Sequence, residues 1–561
     1  MAATVKSPVS PASTRSGAGE KGLKRGALGL VASIVVGVAS TAPAYSLAAT
    51  LGLVVVVANG DGIVGVKAPS VMILAFVPIY FVAVAYAELN KAEPDCGTTF
   101  TWAARAFGPH AGWMGGWGII AADVIVMANL AQIAGQYSFS LVGADGLAAS
   151  ALWTTVAGVV WILVMTAICY IGIEVSARLQ YVLLSVEVLV LIAFSVFAVA
   201  RVYGGSAPAG SLHPRIGWLI PSGLSLSSLV TAVLLAVFIY WGWDSAVACN
   251  EETREPAKTP GRAAIISTLL LLATYALVSI ATVSFGGVGK KGLGLGNADN
   301  SADVFNALGS AVFGHSLLGR TLEVLLLVCV LTSASASTQT TILPTARTTL
   351  SMAAYRAMPA RFAKVHPRFL TPSVSTVWMG AVSIVFYVGL TLVSTNVLAD
   401  SVASIGLLIA FYYGLTGFAC VWFFRRTITS SVRNFVMQGL FPLLGGISLL
   451  GAFCYACYLY AAPDYGYTSI RGVGSVFVIG VGSLLFGVLL MVLWNVADPA
   501  FFRGRTLGRS RGDLVLAGGE GPTYRLPDSG MDSTVIAPDL SNLPIGARAV
   551  DLSERPGGER R

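Results

Sequence analysis

The chain has 561 residues, of which 55% are hydrophobic and only 11% charged, with a mean hydropathy of +0.76. That composition excludes an ordinary soluble domain and predicts a polytopic protein of the lipid bilayer. The net charge of +8 comes without a run of interleaved basic and aromatic residues, so it reads as membrane topology and attraction to anionic lipid, with no nucleic-acid partner.

In chain order, residues 1–27 predict a disordered cytoplasmic N-terminal tail rich in small and polar residues. A membrane span needs about 20 largely apolar residues. Twelve such segments follow, at 28–58, 69–90, 113–142, 150–172, 177–203, 224–250, 262–288, 317–350, 373–396, 401–424, 435–461 and 473–496, and residues 501–561 form a second polar, disordered tail. The first segment is too long for a cleaved signal and is expected to be retained. Basic residues concentrate before the first span and after the sixth, eighth, tenth and twelfth, as at Lys21, Arg254, Arg356, Arg425 and Arg503. Short loops rich in Lys and Arg stay inside, so both termini are predicted cytoplasmic and the location is the plasma membrane.

Span one carries the run Gly37-Val38-Ala39-Ser40-Thr41-Ala42-Pro43. Pro43 removes one N–H and displaces the carbonyl four residues back, so the Ala39 carbonyl is expected to be freed for coordination. In span three, Asn129, Gln132 and Gln136 share one helix face, which either lines a pathway or joins neighbouring helices. Asp123 points roughly the opposite way. Span five holds Glu187 in an otherwise apolar stretch, where an unpaired carboxylate is costly; it serves as a proton carrier or as a hydrogen-bonded packing group. Span six reaches the aromatic break Tyr240-Trp241-Gly242-Trp243 and resumes at Asp244, which is either an N-cap or a ligand group. Two interrupted spans, five apart, predict an inverted-repeat transporter whose solute sits between the breaks. Span eight contains the hydroxyl-rich stretch 332–339; a sodium site there needs oxygen ligands, and no carboxylate stands beside it in sequence.

At this level the chain resembles the amino acid–polyamine–organocation (APC) superfamily of permeases. The resemblance rests on the span-six break followed by Glu251-Glu252-Thr253-Arg254-Glu255-Pro256, on YAELNKAEPDCGTTFTWAARAFGP at 86–109, and on ARTTLSMAAYRAMPARFAKVHPRFLTP at 346–372. It implies an all-α bundle of twelve transmembrane helices with a five-plus-five inverted repeat, helices 1 and 6 broken. The repeats would cover 28–203 and 204–424, with peripheral helices 11 and 12 in 425–500. Half-helix N-termini would receive a solute carboxylate and displaced carbonyls its ammonium. The implied substrate contacts are Ala39, Ser40 and Thr41 in the first break, Phe238, Tyr240, Trp241, Gly242 and Asp244 around the second, and Asn129 in span three; Glu187 would couple protons. Ala39-Ser40-Thr41 stands where the family often has Gly-x-Gly, which narrows the room for backbone approach.

Chemistry of other kinds finds no footing. The string GGVGKKG at 286–292 lacks the spacing and hydroxyl of a nucleotide-binding loop, GLGLG at 292–296 lacks dinucleotide spacing, and there is neither an HExxH nor a GxSxG motif. Cys454 and Cys457 form a lone CxxC without a second pair, which reads as helix packing. No enzyme, cofactor or metal is expected. The predicted function is import of an amino acid by alternating access, coupled to protons rather than sodium. Polyamine or cationic amine transport, or a non-transporting nutrient receptor on a permease scaffold, are the alternatives.

Overall fold

A computed structural model describes residues 21–301 and 303–509; most of both predicted tails, residues 1–20 and 510–561, lies outside the described residues. Eleven helical segments there are long and apolar enough to cross a bilayer: Leu30–Val56, Gly65–Ala92, Pro109–Ser140, Ala151–Ile171, Ile173–Tyr203, Thr259–Gly286, Leu317–Ala354, Ser373–Val393, Asn396–Phe423, Val432–Tyr460 and Ser475–Ala497. These are spans one to five and seven to twelve. Span six is the exception that the sequence leads one to expect: it is divided into Leu226–Ile239 and Ser245–Ala248, neither long enough alone.

Local chemistry starts several of these helices. Ser225, Ser316 and Ser394 each accept a backbone N–H of the turn they open, satisfying donors that a helix start otherwise leaves orphaned. Pro43, Pro109 and Pro260 occupy first-turn positions, where the missing N–H costs nothing. Among the described residues the bundle is all-α apart from two short two-stranded hairpins.

Spans two and seven, three and eight, and four and nine pack on one another, which pairs equivalent members of the two five-span halves. Spans one, three and ten are the most enclosed, each with 78% of its apolar window buried, whereas spans nine and eleven show 28% and span twelve 22%. The outward-facing side chains, among them Val160, Leu189, Val385 and Leu489, are exposed and apolar, as contact with hydrocarbon requires.

The inner edges of both tails are packed, unlike the free chains expected from their composition. Leu23 and Leu28 are fully buried, and Leu28 exchanges backbone hydrogen bonds with the loop after span six, at 3.0 Å to Glu252 and 2.9 Å from Arg254. Past span twelve, Phe501, Phe502 and Leu507 are buried, and Arg356 grips Asp498 through two bonds of 2.9 Å. A few apolar residues in each polar stretch suffice to dock it. These contacts gather the loops after spans two, six, eight and twelve at one basic end of the bundle.

Candidate functional site

The first break is built by one left-handed residue and one proline. The helix Leu30–Ser40 stops at Thr41; Ala42 takes φ 47°, and Pro43 opens Pro43–Val56. The Thr41 hydroxyl donates to the Val38 carbonyl at 2.7 Å and the Ser46 hydroxyl to the Thr41 carbonyl at 2.6 Å. The Ala39 carbonyl is not freed, contrary to expectation: it accepts the Ala42 N–H at 3.1 Å, because Thr41, at φ −78° and ψ −10°, tightens the last turn so that N–H groups reach the carbonyl three residues back. The released carbonyl is that of Ser40, which accepts the Ser337 hydroxyl of span eight at 2.8 Å.

The second break turns on Gly242, whose φ of 120° suits glycine alone. A methyl group there would lie 2.8 Å from both the carbonyl carbon and oxygen of Ser40, so the two interruptions meet backbone to backbone. Ser40 and Ser245 hydroxyls share a 2.8 Å hydrogen bond across the junction. Asp244 accepts from the Tyr412 hydroxyl at 3.1 Å, and Tyr412 also receives the Trp241 indole N–H. Span ten thereby holds the far side of the second break. Asp244 does not cap the following turn through its side chain, so the capping alternative is not the one the structure uses.

Beside this junction is a small cavity of about 20 Å³, room for about one water molecule in this form. Of the sequence-predicted contacts, Ser40, Thr41, Phe238, Trp241, Gly242 and Asp244 line it. Ala39, Tyr240 and Asn129 do not. Tyr240 turns away to pack edge-on against Tyr275 and tilted against Phe76, and Asn129 accepts the hydroxyl of Tyr45, which itself lines the cavity. Of the rest of the span-three stripe, Gln132 joins helices, bonding Thr154 of span four at 3.3 Å and Tyr387 of span nine at 2.6 Å, while Gln136 is exposed.

Sequence reasoning missed Asp123. It lines the cavity together with Asp244 and accepts the Thr345 hydroxyl. Its mid-span position was signal enough, since ionisable groups within membranes are functional by default; the wheel argument discarded it because the stripe opposite was taken as the important face. Among the described residues, no Lys, Arg or His lines the cavity.

Glu187 stands behind the wall. Its carboxylate accepts the Ala44 N–H at 2.6 Å and the Ser333 hydroxyl at 2.8 Å, so it caps the second half of span one and ties it to span eight. The other hydroxyls of the 332–339 stretch are engaged too. Ser335 and Thr338 bond their own helix at 2.8 and 3.0 Å, and Ser337 donates to the Ser40 carbonyl.

Toward the basic end the path is shut. Every residue of span eight from Ser333 to Ala353 is buried, and Arg347 pairs with Glu252 in full burial. Next to it, the Lys21 ammonium bonds Asp95 at 2.8 Å and Glu251 at 2.7 Å. Burial disfavours the Asp95 carboxylate, but Lys21 and donors from Gly97 and Ser351 outweigh it and hold this group at about 2. Burial likewise opposes the Lys21 charge, yet Asp95, Cys96 and Glu251 carry the ammonium well above its usual value. Asp95, Cys96 and Glu251 converge as metal ligands would, but the ammonium already sits among them, 3.6 Å from the Cys96 sulfur. The cluster is an ion-paired latch.

Comparison with known proteins agrees with this geometry. A family model described as amino acid permease matches residues 28–465. An uncharacterized transporter of Mycobacterium tuberculosis is 29% identical over 63% of this chain and 72% of its own length. A branched-chain amino acid permease of Bacillus subtilis is 26% identical over 78% of this chain and 88% of its own. A low-affinity putrescine importer of Escherichia coli is 21% identical over 76% and 87%.

Proposed function

Because the chain belongs to the amino acid permease family of the APC superfamily, and so is a multi-pass membrane transporter rather than an enzyme, we propose that it imports a small ammonium-bearing solute, an amino acid or a related amine, across the plasma membrane. The observation that carries this reading is the cavity at the meeting of two helix breaks, Gly242 against Ser40, lined by Asp123 and Asp244. Transport proceeds by alternating access. The form described here is shut at the basic end, which the clustering of Arg and Lys assigns to the cytoplasm, together with both termini. Release into the cell then requires the Lys21 and Arg347 pairs to part.

Proton coupling is assigned to Glu187. Its carboxylate joins the second half of span one to span eight, so gaining a proton weakens its grip on Ala44 and alters how the broken helix rests on its neighbour. A second reading, polyamine or cationic amine transport, is favoured by the two cavity carboxylates, Asp123 and Asp244.

Reconstitution tests the proposal. Proteoliposomes given an inward proton gradient should accumulate a labelled amino acid or amine, and a protonophore should abolish the accumulation. Accumulation driven by sodium alone would overturn the coupling assignment; folded protein that moves no amino acid or amine under either gradient would overturn the function.

A further inference from the structure

Span five carries a buried row of polar side chains, Ser176, Gln180 and Glu187, at spacings that stack them along one helix face. Glu187 accepts the Ser333 hydroxyl of span eight at 2.8 Å. One turn further along span eight, the Gln180 amide donates to the Ala336 carbonyl at 3.2 Å and to Gln339 Oε1 at 3.1 Å. Ser333 and Ala336 are three residues apart, about 4.5 Å of helix, so the contacts of Glu187 and Gln180 nearly adjoin.

The two glutamines leave matched ends unpaired. The Ala336 carbonyl fixes which end of the Gln180 amide is nitrogen, and Gln180 in turn fixes the oxygen of Gln339. Gln180 Oε1, Gln339 Nε2 and Ser176 Oγ then have no hydrogen-bond partner among the described residues, and all three side chains are fully buried. The Cys169 thiol of span four, which donates to the Gln339 carbonyl at 3.3 Å and faces Ser176, closes the far side. A buried polar atom without a partner is costly. One water molecule satisfies this set, accepting from Gln339 and donating to Gln180 and Ser176.

Ser176 is within one turn of Ile173, where span five begins at the basic end, and Glu174 there is partly exposed in its pair with Lys24. The row thus leads from that surface toward Glu187, with Leu184 the buried apolar residue between Gln180 and Glu187. None of these side chains lines the cavity at the helix breaks.

We propose that Gln180, Gln339 and Ser176 hold a buried water, and that Glu187 exchanges its proton with the cytoplasm along this seam between spans five and eight instead of through the solute cavity. This rests on the coupling role given to Glu187 above and supplies its route. The bonds that change are O–H bonds: Glu187 gives its proton to a water, which passes one of its own toward Ser176. Gln180 and Gln339 neither gain nor lose a proton; they are positioning residues that orient the water. Tyr275 of span seven and Cys329 of span eight are further titratable side chains that interact with Glu187.

Radiolytic hydroxyl-radical labelling of the full chain in nanodiscs tests the site directly, because a buried side chain is oxidised when a bound water lies beside it. Cys169 should be labelled at least fivefold faster than Cys420, which is also buried but lies outside the seam. The double variant Gln180→Leu with Gln339→Leu replaces both amides by apolar groups of similar shape and should remove most of the Cys169 labelling. In proteoliposomes it should lose at least tenfold in proton-driven accumulation while counterflow stays within twofold of wild type. The solute is whichever of labelled leucine, lysine and 1,4-diaminobutane the wild type accumulates. Should the double variant fail to fold, Ser176→Ala decides: that hydroxyl has no hydrogen-bond partner to lose, and accumulation should still fall at least threefold. Cys169 labelled no faster than Cys420, or accumulation at the wild-type rate in a folded variant, overturns the route while leaving the Glu187 assignment to its own Glu187→Gln test. Folded wild type that accumulates none of the three solutes overturns the transport reading and the route with it.

Discussion

Gly242→Ala is the perturbation on which the site geometry can be judged most directly. The residue has φ 120°, a conformation that costs a side-chain-bearing L-residue on the order of 1–2 kcal/mol. The added methyl would stand 2.8 Å from the Ser40 carbonyl carbon and oxygen. Those are backbone atoms, so no rotamer change relieves the clash, and overpacking of this kind typically costs about 1–3 kcal/mol. Together the two terms predict a loss of about 2–5 kcal/mol. The strain falls on the Ser40–Ser245 and Ser337–Ser40 hydrogen bonds, each 2.8 Å long, so the junction beside the cavity opens first. In detergent, the unfolding temperature should drop by several degrees, and reconstituted protein that remains folded should lose more than tenfold in uptake. Gly451→Ala provides the contrast: nothing lies within 4 Å of its methyl position, and replacing a mid-helix glycine should be neutral or stabilise by up to about 1 kcal/mol. If Gly242→Ala matches wild type in both unfolding and uptake, the two breaks do not abut as described.

Other expectations concern the coupling carboxylate and the latch. Glu187→Gln keeps an acceptor for Ala44 but removes the titratable group, so gradient-driven accumulation should vanish while solute counterflow persists; unchanged accumulation would exclude Glu187 as the proton carrier. Glu187→Ala leaves two buried donors without their acceptor and should cost about 1–3 kcal/mol in thermal unfolding. Lys21→Met strands Asp95 without its cation, a change that typically costs about 3–5 kcal/mol in a buried pair. Alkylation of Cys96, measured in a background lacking the accessible Cys454 and Cys457, should accelerate as the latch loosens. The latch also has a defined pH window. Asp95 is held at about 2, below its unfolded value of about 3.9, so its contribution of about 2–3 kcal/mol is present above pH 4 and disappears as pH falls toward 2. Lys21 is raised, so its contribution is complete below about pH 10 and is lost only above that. The difference in unfolding temperature between wild type and Lys21→Met should therefore be flat from about pH 5 to 9 and shrink below about pH 4.

Much of the architecture was legible before any coordinates. Apolar run length gave the twelve spans, because a bilayer fixes how long such a run must be. Pro43 and Gly242 marked the two interruptions, since each imposes a backbone geometry that an unbroken helix cannot carry. What the sequence could not supply is which atoms face which. The Ala39 and Ser40 carbonyls are adjacent, and only the tightened last turn at Thr41 decides that the first is held. Asp123 and Asn129 lie on the same helix, and periodicity gives the angle between them without saying which points inward. That depends on where spans one, six, eight and ten stand around span three. The docking of Lys21 onto loops more than 70 residues away is equally invisible locally. Chain-local chemistry determined where the backbone breaks and which segments enter the membrane; packing between distant helices decided which polar groups enclose the cavity, because a side chain's surroundings are set by its neighbours in space.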